Sequence, residues 1–112
     1  TYFDKEAIAK VLLQYDADVN GKDASGNTAL IGVSFKGNIS TAKLLLQNGA
    51  DVNATNLKGM SALIYATMYN QEDMVKLLLS ENADKMIKDD EEKTAFHYAK
   101  DKNLEAIATL LK

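Results

Sequence analysis

The chain contains no cysteine, no proline, no tryptophan and no arginine, and only one histidine. Without cysteine there is no disulfide frame and no thiolate metal site, and the redox compartment stays open. Without arginine, the bidentate contacts that read base edges are missing. All the basic charge is lysine, spread along the chain, and the net charge is −3. That balance argues against nucleic acid, whose phosphates attract clustered lysine and arginine. No apolar run approaches the length of a membrane span, so no membrane partner is expected. A lone histidine cannot assemble a metal site or a catalytic triad. No phosphate-binding glycine loop, zinc-protease motif or nucleophile elbow is present. We therefore expect no cofactor, no metal and no small-molecule substrate, and we assign no catalytic residue.

What the sequence does carry is repetition. GADVNA at Gly49–Ala54 is preceded 33 residues earlier by DADVNG at Asp16–Gly21 and followed 33 residues later by NADKMI at Asn82–Ile87. The same step links GNTAL (Gly26–Leu30), GMSAL (Gly59–Leu63) and EKTAF (Glu92–Phe96). It also links AKLLL (Ala42–Leu46) with VKLLL (Val75–Leu79). A fixed period in this range marks a solenoid, in which each unit buries its apolar side against its neighbours. At 112 residues the whole array makes one domain by length.

These residues resemble the ankyrin repeat over the whole chain, in about three and a half units. The family pattern runs D-x-x-G-x-T-P-L-H-x-A-A, then a glycine turn, then a helix ending L-L-x-x-G-A-D-V-N. Asp23-Ala-Ser-Gly-Asn-Thr-Ala-Leu30 opens one unit, and Leu44-Leu-Leu-Gln-Asn-Gly-Ala-Asp-Val-Asn53 closes it. Alanine replaces the family's proline at Ala29, Ala62 and Ala95, and Glu92 stands where the turn glycine belongs. The resemblance implies an all-α solenoid of antiparallel helix pairs joined by β-hairpin-like loops. Its units are a partial repeat at 1–22, repeats at 23–55 and 56–88, and a C-terminal capping repeat at 89–112. By register Thr1–Phe3 match Ser34–Lys36, so the chain opens inside a unit and is expected to belong to a longer array.

Stereochemistry supports the register. Thr28, Ser61 and Thr94 stand where a hydroxyl can cap a first helix. Gly37, with counterparts Asp4, Asn70 and Asn103, stands where that helix stops. Gly49, with Asp16 and Asn82, ends the second helix. Gly, Asn and Asp are the types that enter the left-handed conformation a helix stop uses. Helix pairs are predicted at about 28–36 with 40–47, 61–69 with 73–80, and 94–102 with 104–111. Leucines at 44 and 45, 77 and 78, and 110 and 111 form two apolar columns, with Thr41, Met74 and Ile107 on the same face.

The candidate binding residues follow from the resemblance. It places the end of each first helix and the loop tips on a concave, partner-binding face. Phe35, Met68 and Tyr69 there, with Leu57 and Met60 at the tips, are apolar where polar residues are expected. Such residues are enriched at interface centres. Lys36, Lys58, Asp101 and Lys102 complete the expected face. The structural alternative is that Phe35 and Met68 tuck between helices, while Tyr2 and Phe3 cover the N-terminal end. His97 matches the family's structural histidine, which bonds the adjoining loop. Asp89–Glu92 is an acidic tip that either meets a basic partner or is a solvated turn. Asn38 and Asn53 begin glycosylation sequons, and Asn20 and Asn53 resemble the loop asparagines that animal hydroxylases modify; both depend on the source. The expected function is binding of an unidentified partner protein. The rivals are a spacer or intramolecular regulatory arm, and an enzyme.

Overall fold

The structure, a computed structural model, describes residues 19–112. Tyr2, Phe3, Asp4 and Asp16, and most of the partial unit expected at 1–22, lie outside the described residues. Six helices follow: α1 (Ala29–Lys36), α2 (Ile39–Gln47), α3 (Ala62–Met68), α4 (Glu72–Ser80), α5 (Ala95–Asp101) and α6 (Glu105–Leu111). Their bounds agree with the register to within one residue. The first helices α1, α3 and α5 pack side by side, and so do the second helices α2, α4 and α6. No strand forms among the described residues; the loops carry one isolated antiparallel bridge, Thr55 with Ser61.

Each helix boundary has a local cause. The hydroxyls of Thr28, Ser61 and Thr94 accept from the backbone N–H of Ile31, Ile64 and His97. This satisfies one of the unpaired donors at each helix start. The first helices stop at Gly37, Asn70 and Asn103, with φ of 73°, 56° and 58°. The second helices stop ahead of Gly49 and Asn82, at φ of 92° and 66°.

Packing refines the two leucine columns. Leu45, Leu78 and Leu111 are buried, whereas Leu44, Leu77 and Leu110 are only half-buried. Only one column therefore points into the seam between helices, together with Thr41, Met74 and Ile107. Ala29, Ala62 and Ala95 are buried as well, and their small side chains let the first helices approach closely. Buried Ser34 and Thr67 satisfy their hydroxyls on the carbonyls of Leu30 and Leu63.

The loops repeat one turn three times. Asp23, Asn56 and Asp89 open the three tips. Their Oδ1 atoms accept from the N–H groups of residues two and four further on, at 2.9–3.0 Å. Neighbouring tips are laddered. Leu57 N–H donates to the Ser25 carbonyl at 3.1 Å, and Asp90 N–H to the Lys58 carbonyl at 3.0 Å. Farther back in the loop, Asn20 and Asn53 accept from the N–H of Asp51 and Asp84 in the next unit, both at 2.7 Å. Asn53 therefore latches two units together, and Asn38 caps α2 by accepting from Thr41 N–H.

Glu92 does not loosen its loop. Its N–H donates to the Asp89 carbonyl at 2.9 Å, as Gly26 does to Asp23 and Gly59 to Asn56. The turn is retained by holding Glu92 at φ 64°, which costs a non-glycine residue about 1–2 kcal/mol.

Candidate protein-binding face

The late residues of the first helices and the tips form one face. Its centre is a cluster of three rings. Phe35 lies 5.6 Å from Tyr69 and 6.2 Å from Tyr65, and Tyr65 and Tyr69 stack nearly parallel at 6.5 Å. Tyr65 and Tyr69 are four residues apart on the α3 side, which puts them on one helical face. Phe35 reaches them from α1. The ammonium of Lys36 stands 5.9 Å from the Phe35 ring centre, a cation–π distance. Tyr69 is 55 % exposed, and Leu57 at the neighbouring tip is 74 % exposed.

Of the residues expected on this face, Phe35, Lys36 and Tyr69 are brought together. Met68 is half-buried and packs against the core, as does Met60. Tyr65 joins the cluster although the register had not singled it out. Its signal was its column, which reads Gly32, Tyr65, Tyr98. Asp101 is paired with Lys93 at 3.7 Å, and Lys102 is exposed beyond the end of α5.

Two equivalent clefts open between the tips. The first, about 300 Å³, is lined by Ala24, Ser25, Asn27, Asn56, Leu57, Lys58 and Tyr65. The second, also about 300 Å³, is lined by Lys58, Met60, Asp89, Asp90 and Glu91. A larger cavity of about 410 Å³ lies at the helix turns, lined by Gly37, Asn70 and Gln71 among others. Beside it the Gln71 side chain fills the space over Gly37 and donates to the Phe35 carbonyl at 3.1 Å.

The tyrosines behind the two clefts differ. Asn56 Nδ2 donates to the Tyr65 hydroxyl at 2.9 Å and to Asn27 Oδ1 at 2.9 Å. In the next unit the Tyr98 hydroxyl donates to Asp89 Oδ2. Burial alone would push the Asp89 carboxyl up. The hydrogen bonds from Tyr98 and from the Lys93 and Glu91 backbone, with the Lys93 charge, outweigh it and hold Asp89 below the usual carboxylate value. Burial, and then Asp89 itself, push the Tyr98 phenol well up.

This corrects the expectation of a solvated or partner-seeking acidic tip over Asp89–Glu92. Asp89 is buried and occupied, because Tyr98 supplies a donor beneath it; only Asp90, Glu91 and Glu92 are exposed. His97 has the structural role expected of it. Its Nδ1 pairs with the N–H and hydroxyl of Thr94, at 3.1 and 3.0 Å. The ring thus closes a capping box at the start of its own helix, holding the last loop residue, Thr94.

A family model for ankyrin repeats in three copies matches residues 2–56 and 30–112. The chain belongs to the ankyrin-repeat family. Ankyrin repeats are generally protein–protein interaction modules and are typically non-enzymatic. No curated protein matches the chain.

Proposed function

We propose that this ankyrin-repeat chain binds a partner protein through the face built by α1, α3 and their tips. Phe35, Tyr65 and Tyr69 are the anchor, Leu57 extends it, and Lys36 and Lys58 flank it. Met60 and Met68 support the anchor from below, and Asp101 and Lys102 form its outer edge. The observation that carries this reading is the three-ring cluster with Tyr69 and Leu57 exposed beside it. Exposed Tyr69, half-buried Phe35 and Tyr65, and exposed Leu57 make an apolar patch of the kind found at contact sites. The scaffold is preformed, so docking orders few side chains.

The division into a partial unit (1–22), two full units (23–55, 56–88) and a capping unit (89–112) belongs to the same proposal. Its support is steric. A Cβ at Gly26 would stand 2.8 Å from Leu57 N, and one at Gly59 3.2 Å from Asp89 Cα. Glycine at those places lets the next tip pack. Glu92 holds the equivalent place with a side chain, which obstructs a further tip in the same register.

The test is a photo-crosslinking residue placed at Tyr69, compared with one at exposed Lys43 on α2. In native extract, Tyr69 is expected to give a discrete crosslinked protein that Lys43 does not. A crosslink within the same polypeptide would make the face intramolecular. Equal, diffuse labelling from both positions would overturn the proposal.

A further inference from the structure

The cleft between the first two described tips differs from its neighbour in the direction of one proton. At the third unit the orientation of the Asn56 amide is fixed by its surroundings. Its Oδ1 accepts from two backbone N–H groups, Lys58 and Met60. Backbone N–H groups only donate, so the atom facing Tyr65 must be Nδ2. The Tyr65 oxygen therefore accepts, and its own proton has to find another acceptor. None of the described residues supplies one.

At the fourth unit the corresponding residue is Asp89, which can only accept when ionised, and the Tyr98 proton is directed inward onto it. The second cleft thus has no tyrosine donor and is lined by Asp89, Asp90 and Glu91, with Met60, and with Lys58 on the wall it shares with the first. The first shares Lys58 but differs in the rest of its lining. It has no acidic lining residue, and Lys58, which has no ion-pair partner among the described residues, is its one charged member. The Ser25 hydroxyl adds a third donor at its mouth.

We infer that the Tyr65–Lys58 cleft is a subsite for a carboxylate side chain, Asp or Glu, on an extended segment of the partner. This rests on the proposed binding face, because the cleft adjoins the ring cluster through Tyr65. The segment it fits carries an acidic residue close to an apolar anchor. The apolar group lies on Phe35 and Tyr69, and the carboxylate takes the Tyr65 proton and the Lys58 ammonium. Charge-assisted bonds of this kind are about twice as strong as neutral ones. A phosphate dianion suits the site less well, since its bidentate recognition favours arginine and the chain has none. The neighbouring cleft shares Lys58 but adds three carboxylates and lacks a tyrosine donor, so it disfavours the same carboxylate and biases the segment to one register.

The experiment is a random peptide library displayed on phage and panned against the whole chain, followed by affinity measurement of selected peptides. Peptides recovered on the wild type are expected to carry Asp or Glu near an apolar residue. Asn56→Asp should weaken them roughly tenfold or more, because it redirects the Tyr65 proton inward as at Tyr98. The variant keeps the turn, which already accepts aspartate at Asp23 and Asp89. Tyr65→Phe should weaken the same peptides while leaving the Lys58 contribution. Glu→Gln in the peptide should matter on the wild type and much less on Asn56→Asp. Suppose instead that peptides depend on Tyr69 but show no acidic preference, or that the Glu→Gln loss is unchanged by Asn56→Asp. The carboxylate subsite is then wrong and the binding face stands. No enrichment, or peptides indifferent to Tyr69→Ala, would overturn both.

Discussion

At the third unit a tyrosine hydroxyl faces an amide, and at the fourth it faces a carboxylate. The two turns share their backbone bonds, and Asn56 alone adds a bond to Asn27 in the preceding tip. Asn56 and Asp89 each accept from the same two backbone positions, and each meets a tyrosine 9 residues on. One atom differs, nitrogen for oxygen, and it reverses which group donates. In the fourth unit the bond is internal, and Tyr98 is buried at 7 % exposure. In the third it leaves Tyr65 half-buried, with a proton to offer outward. A solenoid can thus keep one backbone and vary its surface chemistry unit by unit.

The comparison assumes a common core beneath both tips, and the largest expected effect tests that. Leu78 is 0 % exposed in the seam between these two units. Leu78→Ala should cost about 2–5 kcal/mol, from lost transfer energy plus a cavity, read as a fall in the urea midpoint. An unchanged midpoint would mean the two units do not share the packing described.

Next in size is the contrast at the turn. Gly59 has φ +74° and a would-be Cβ 3.2 Å from Asp89 Cα. Gly59→Ala should cost about 1–2 kcal/mol for the left-handed conformation alone, and more if the next tip cannot shift. Glu92→Gly should go the other way, gaining up to about 1 kcal/mol. A Glu92→Gly variant that melts lower than the wild type, or a Gly59→Ala variant that melts no lower, would contradict the strain assigned to these equivalent places.

The tyrosine pair comes third. Asp89→Asn leaves the buried Tyr98 proton without its acceptor and should cost about 1–3 kcal/mol. Asn56→Asp should cost less, because Tyr65 reaches solvent. The effect also has a pH signature. Asp89 titrates below its ordinary value of 3.8 in the folded state. Its contribution is therefore complete above that value and lost as pH falls through the folded one. Tyr98 is shifted upward from 10.0, so its contribution is complete below that value and lost as pH rises beyond it. Asp89→Asn should flatten the acid limb of the stability profile, and an unaltered acid limb would speak against the pair.

The smallest expected loss of stability is from Tyr69→Ala, about 0.5–1 kcal/mol, for two ring contacts made by a largely exposed side chain. Its effect on partner binding should be about 2 kcal/mol or more. Loss of folding would place Tyr69 in the core and remove the anchor from the proposed face.

Much of this architecture was legible in the sequence, because it rests on local stereochemistry repeated in columns. Thr28, Ser61 and Thr94 announce helix starts through their hydroxyls. Gly37, Asn70 and Asn103 announce stops through their tolerance of positive φ. The face was legible in part: Phe35 and Tyr69 broke the polar pattern expected late in a first helix. What escaped was relational. Asp89 read as one of four acidic residues, because its burial depends on Tyr98 reaching back across the turn. The repeat of that spacing at Asn56 and Tyr65 was the available signal. Tyr65 was missed because its column carries a glycine in the second unit, so no apolar row stood out.

Neutron diffraction from a deuterium-exchanged crystal tests the central comparison most directly. The account predicts that the Tyr98 deuteron lies on the line to Asp89 Oδ2. It predicts that the Tyr65 deuteron points away from Asn56 into the cleft, with both Asn56 amide deuterons on Nδ2 facing Tyr65 and Asn27. A Tyr65 deuteron lying between Tyr65 and Asn56, as at the fourth unit, would contradict it.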